Sequence, residues 1–238
     1  MVGELVEKYG LDRRHSGIKR AADYLFSKQT EEGDFRGIYG HQYSPNYSAA
    51  IMELLIKAGY DDDPHIDRGF QWLVSMRQDD GGWAVPLRTA GVKLDAITAE
   101  KTITPDRSKP SSHWATGVVL RAFAAHEKQR KKDIARSAGQ LLASRFFKKD
   151  TYPDRQAVDF WTRFSYPFWF TDLLSSLDSL SLIGFSSDDP HVSKGIEWLV
   201  DKQHSDGTWR LKLLKTKDKH LSHWIALTIC RVLKRFYD

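Results

Sequence analysis

Arg68 to Trp83 reads RGFQWLVSMRQDDGGW and Lys194 to Trp209 reads KGIEWLVDKQHSDGTW. A constant offset of 126 residues superposes Gly69 on Gly195, Trp72 on Trp198, Gly81 on Gly207 and Trp83 on Trp209. The lead-in repeats as well, since Asp62-Asp63-Pro64-His65 falls on Asp188-Asp189-Pro190-His191. A match of this length marks an internal repeat. A weaker copy runs from Tyr24-Leu25 through Gln29 and Gly33 to Phe35, and a fourth, without the glycine and the tryptophan, begins near Ile134. Four related segments therefore start near residues 18, 66, 134 and 192.

Within each copy apolar residues recur at helical spacing, as in Ile196, Leu199 and Val200, and stop at a glycine-containing turn. Pro64 and Pro190 fall in first-turn positions, where a missing N–H costs nothing. Second helices with the same period are predicted over 46–58, 112–126, 168–183 and 221–236. Almost no segment alternates as a strand would. The expectation is an all-α chain, one domain over 1–238, made of about four helix hairpins and a short N-terminal helix in a stacked or circular arrangement. The repeated tryptophans and the glutamines Gln29 and Gln203 read as structural, with the indole N–H and the amide tying down the turns.

With 238 residues, 41% hydrophobic and 28% charged, the chain can bury a sizeable core, and disorder as its main state is excluded. No stretch approaches the run of about 18 apolar residues that a spanning helix needs, and Met1 to Gly10 lacks a signal-peptide core, so a cytoplasmic location is expected. Cys230 is the single cysteine, which excludes an internal disulfide and a cysteine-based zinc site. The net charge of +5 is uneven: residues 121–163 carry eleven Lys/Arg against five Asp/Glu. That stretch suits a phosphate, an anionic surface, an acidic partner or simply solvent. No recognisable motif interleaves it, so nucleic acid is not expected as a partner.

The pattern aromatic-Leu, three residues, Gln, three residues, Gly, any residue, aromatic is carried by Trp198-Leu199…Gln203…Gly207…Trp209 and Tyr24-Leu25…Gln29…Gly33…Phe35. It resembles the repeat of the squalene/terpenoid cyclases and the protein prenyltransferase β-subunits. The middle copy departs from it, with Arg77 at the glutamine position and Gln78 one residue late. The resemblance implies an α/α toroid, with first helices outside, second helices lining a central funnel, and inner-helix N-termini facing the substrate. The family's ring usually has about six hairpins; four imply a smaller or partial ring, or one closed by inserts or a second chain.

The resemblance also implies chemistry that the residues do not supply. Class II cyclases protonate an alkene with Asp-x-Asp-Asp, and this chain has no such tetrad; Asp61 to Asp63 and Asp188-Asp189 read as helix caps before prolines. The prenyltransferases hold zinc through Asp-x-Cys and a His, and Asp-x-Cys is absent here. No metal site and no cofactor are expected, and whether the chain is an enzyme stays open.

What remains is a pseudo-symmetric lining. Ser112-His113-Trp114 recurs as Ser222-His223-Trp224, with Arg121 and Arg231 eight residues after each histidine, while Glu53 and Asp178 stand six before Gly59 and Gly184. Asp172, Ser175, Ser176 and Ser179 share one helix face, a polar stripe that points to a wet cavity. Tyr43, Tyr47, Trp114, Tyr166, Phe168, Trp169 and Trp224 gather at inner-helix starts, with Ser112 and Ser222 as expected caps. An aromatic rim over a polar floor suits a ligand with an apolar tail and an anionic head. Three readings stay open. The first is an isoprenoid-binding or lipid-binding protein of prenyltransferase or cyclase type, with His113, His223 and Asp172 as acid/base candidates and Tyr47, Trp114, Trp169, Trp224, Glu53, Asp178, Arg121 and Arg231 as ligand contacts. The second is a non-catalytic helical-repeat module for a protein partner or a second copy. The third is a carbohydrate-active α/α barrel with Glu53 and Asp178 as opposed carboxylates.

Overall fold

The computed structural model describes residues 2–36, 40–92, 101–214 and 218–238. It is helical, with no strand among the described residues. In chain order the helices are α1 (Val2–Glu7), α2 (Ser16–Phe26), α3 (Pro45–Leu55), α4 (Pro64–Ser75), the single turn α5 (Pro86–Thr89), α6 (His113–Ala125), α7 (Asp133–Ala143), α8 (Leu173–Ile183), α9 (Pro190–Asp201) and α10 (Leu221–Tyr237). No described helix is long and apolar enough to cross a membrane.

Local chemistry explains the boundaries. Asp63 and Asp189 cap α4 and α9, accepting from the amides of His65 and His191, and Pro64 and Pro190 open those helices. The end of α3 widens into one turn at Ile56–Tyr60, closed by Gly59 at φ 91°, a left-handed conformation that glycine adopts freely. The helix predicted over 168–183 begins instead at Leu173, because Asp172 and Ser175 form a reciprocal capping box that stops it there.

The repeat is built around one turn used three times. The Gln29 amide donates to the Gly33 carbonyl at 2.8 Å and that of Gln203 to Gly207 at 3.0 Å; in the middle copy Arg77 Nε donates to the Gly81 carbonyl at 2.7 Å. Gly33, Gly81 and Gly207 all have positive φ. Trp83 Nε1 donates to the Leu73 carbonyl at 2.7 Å and Trp209 Nε1 to Leu199 at 2.8 Å. The first two turns also reach the next outer helix, Gln29 donating to the His65 carbonyl of α4 and Arg77 to Ser137 of α7. Gly69 and Gly195 permit close approach: a Cβ on Gly69 would fall 2.6 Å from Met52 Sδ, and one on Gly195 3.1 Å from Leu173.

The second helices pack in the order α3, α6, α8, α10, with α4, α7 and α9 outside them. The sequence of α6, HWATGVVLRAFAA, is largely apolar, and eleven of its thirteen residues are buried, as befits a helix surrounded by others. By contrast α10 buries one face, Leu221, Ile225, Thr228, Ile229 and Val232, and leaves Ser222, His223, Leu227 and Arg231 exposed. The arc is therefore a partial α/α ring. Between its ends lies α1, which packs on α3, while Lys8 just beyond it binds Asp218 before α10 at 2.6 Å.

Candidate functional site

At the start of α6, Ser112 is the cap, accepting from the Ala115 amide. Beside it Asp150, buried, accepts from Ser112 Oγ at 2.7 Å, the His113 amide at 2.9 Å and the Trp114 amide at 3.0 Å. The positive end of this helix already holds a carboxylate of the protein's own, so the anionic head expected there has no vacant donors to meet. His113 is buried with its ring 4.5 Å from that of Trp161. Burial pushes its pKa down to about 4 despite Asp150 at 3.6 Å, which leaves it a neutral wedge rather than a funnel acid. Its repeat partner differs. His220 is the N-cap residue of α10, and the expected cap Ser222 lies inside the helix, with His223 exposed beside it.

The polar stripe of α8 is not a wet wall. Asp172, Ser175, Ser176 and Ser179 are all buried. Asp172 accepts from the Ser175 amide at 2.7 Å, and Ser176 and Ser179 donate back to the carbonyls of Asp172 and Ser175 at 2.7 and 3.1 Å. Hydroxyls that bond the preceding turn need no water. Burial raises the pKa of Asp172 to about 7, against its bonds to Ser175. It is a helix cap and lines neither of the clefts described below.

Glu53 and Arg121 meet in the interior, Oε2 to Nε at 2.8 Å, and Glu53 Oε1 takes Lys57 at 2.8 Å. Lys57 also binds Glu7 of α1 at 2.5 Å, and Arg121 reaches the Phe170 carbonyl at 3.2 Å. Burial opposes the charge on Glu53, but Arg121 and Lys57 outweigh it and hold its pKa below the usual carboxylate range. The same two acids hold Lys57 above the usual lysine range in spite of its burial. At the repeat-related position Asp178 binds Arg235, one helical turn beyond Arg231, which is exposed. Glu53 and Asp178, each in an ion pair with an arginine, are not opposed carboxylates across an open cleft.

Four of the seven aromatic residues expected at the inner-helix starts line two clefts, while Tyr43 packs against Trp72 and Phe168 is buried beside Tyr166. In the first, Tyr47 of α3, Trp114 of α6 and Trp169 before α8 converge with Asn46, Ala50, Val118 and Phe170 around about 40 Å³ of open space. Trp169 is 59% exposed, and Trp114 Nε1 is buried without an acceptor. In the second, about 520 Å³ between α1 and α10, Trp224 and His223 are joined by Lys8, Tyr9, His220 and Leu227. Tyr166, buried and stacked on Trp224 with centroids 6.1 Å apart, lies three residues before Trp169. Among the described residues no three His, Cys, Asp or Glu side chains are grouped to hold a metal ion.

Sequence reasoning missed Asp150, Lys57, Glu7 and Arg155. Lys57 had a signal, since it lies four residues after Glu53 on the same helix face. Asp150, Glu7 and Arg155 lie outside the repeat and had none.

The model of the squalene-hopene cyclase C-terminal domain matches residues 1–102. A squalene–hopene cyclase of Bradyrhizobium diazoefficiens is 28% identical over 245 aligned positions, which cover 84% of this chain and 32% of that protein. A dammaradiene synthase of Dryopteris crassirhizoma is 23% identical across 93% of this chain and 30% of its own. Among solved structures, a type II terpene cyclase from Scytonema in complex with merosterolic acid A aligns with 93% of this chain and 82% of its own, at 12% identity and a TM-score of 0.32. The chain spans about a third of the length of the curated relatives it matches. Its repeat, its helical architecture and these sequence matches agree in their likeness to the squalene/terpenoid cyclase superfamily.

Proposed function

We propose that the chain binds an isoprenoid-like or lipid-like ligand at the aromatic starts of its inner helices. The observation that carries this reading is the convergence of Tyr47, Trp114 and Trp169, from three consecutive inner-helix starts, on one cleft whose outermost indole is 59% exposed. A large exposed ring beside an apolar recess is what an apolar chain covers on binding. The recess is small, about 40 Å³, so it would take only the end of an apolar chain, with the rest lying over Trp169. The relative from Bradyrhizobium is named for squalene, itself an isoprenoid, which supports this ligand class. The proposal is for binding. Asp-x-Asp-Asp is absent from the sequence, and His113, His223 and Asp172 share no cleft from which to act together.

Native mass spectrometry of the purified chain followed by lipid extraction tests this. Wild type retains an isoprenoid or lipid and Trp169→Ala loses it, a substitution that leaves the core intact because Trp169 is mostly in solvent. A second reading, an interface for a protein partner or another copy, is favoured by one observation. The uncovered face of α10 presents Leu227, 41% exposed, next to Tyr9 at 68%. An empty wild type that runs as a stable assembly would favour that reading instead.

A further inference from the structure

Phe170 walls the aromatic cleft and also carries a cation. The Arg155 guanidinium lies 3.2 Å from the centroid of the Phe170 ring and 5.0 Å from that of Phe160. Its backbone is held at φ 53°, a left-handed conformation that arginine rarely adopts. The nearby acids are committed elsewhere. Asp154 binds Arg88 through both oxygens, at 2.5 and 2.7 Å, and Asp159 serves Arg163 and Lys212. Arg155 itself forms no ion pair among the described residues. Arg163, 5.0 Å above Phe160, adds like charge, and its buried Nε has no acceptor. Burial, and then Arg163, pull the Arg155 pKa below its ordinary value, as expected for a cation lacking its counter-charge. The indole N–H of Trp114, in the same cleft as Phe170, is a further donor without an acceptor.

A cation without an acid of its own is what an oxyanion completes. A guanidinium stacked on a ring keeps its edge donors in a planar fork that fits a carboxylate or a phosphate ester. We propose that Arg155, laid on Phe170, is the head-group contact that makes this cleft select an amphiphile bearing an oxyanion, carboxylate or phosphate ester, over a neutral one with the same tail. The inference rests on the cleft reading above and deepens it.

Tryptophan fluorescence titration of the full chain with three ten-carbon isoprenoids sharing one tail, geraniol, geranic acid and geranyl phosphate, tests it at neutral pH. Wild type binds the acid and the phosphate about tenfold more tightly than the alcohol, the effect of one charge-assisted bond. In Arg155→Gln that preference disappears while the affinity for the alcohol is unchanged. The relative strength of the two anions identifies which oxyanion is favoured. As a check that needs no variant, the preference of wild type shrinks with added salt while binding of the alcohol does not. Equal affinity for all three compounds, or a preference that survives in a folded Arg155→Gln or is indifferent to salt, overturns the proposal and leaves the cleft reading standing. If none of the three binds, both fall.

Discussion

Glu53 of α3 and Arg121 of α6 form a buried ion pair, 2.8 Å from Oε2 to Nε, at the most extensive helix contact among the described residues. Removing one partner leaves the other charged and dry. Glu53→Ala and Arg121→Ala are each expected to lower the unfolding free energy by about 3–5 kcal/mol, read by chemical denaturation. The double variant Glu53→Leu/Arg121→Met, which removes both charges and keeps volume, loses less than the two single changes together. A catalytic carboxylate behaves otherwise: its alanine variant would stay stable and lose only turnover, and that result would revive the carbohydrate reading.

Two buried titrating groups give stability opposite slopes with pH. Asp172 goes from an ordinary value of 3.8 up to about 7 on folding, so between those limits the native state keeps a proton that the unfolded chain releases. Its contribution is full below 3.8 and is lost as pH rises toward 7, up to about 4 kcal/mol. His113 goes from 6.5 down to about 4, so its contribution is full above 6.5 and is lost as pH falls toward 4. Asp172→Asn keeps an acceptor for the Ser175 amide and removes one slope. Relative to wild type its stability therefore improves from pH 4 to pH 7. Denaturation midpoints at four pH values decide it, and parallel profiles for the two proteins would refute the assignment.

What was legible in the sequence follows from what repeats. The offset of 126 that pairs Trp83 with Trp209 also pairs their acceptors, Leu73 and Leu199, so motif and hydrogen bond were copied together. Helix pairing and the structural role of the glycines were readable for the same reason. The site was less so, because it is built from inserts that do not repeat. Asp150 closes the α6 N-terminus from a loop outside the repeat, while the α10 start at His220 has no side-chain cap, so the identical Ser-His-Trp triplets end up in different surroundings. A stripe of serines on a helix cannot reveal from spacing alone whether its hydroxyls face water or bond back to the preceding turn; those of α8 bond back.

The middle repeat offers a direct test of substitution within a repeated role. Arg77 stands where the other copies have glutamine and donates to the same carbonyl, that of Gly81, while reaching Ser137 Oγ of α7 at 2.7 Å and resting its guanidinium 5.8 Å from the Trp83 ring. Arg77→Gln restores the amide of the other copies and loses only the outer contacts, for an expected cost of about 1 kcal/mol or less. Arg77→Leu keeps bulk but leaves the Gly81 carbonyl without its side-chain donor, at about 1–3 kcal/mol. The turn it anchors places Trp83, so the leucine variant also speeds hydrogen exchange at the Gln78 amide, which closes this turn onto the Gly82 carbonyl at 2.9 Å. If both variants cost the same and exchange there is unchanged, the arginine is not doing the glutamine's job, and the middle turn is held by Gln78 through the carbonyls of Asp106 and Lys109 instead.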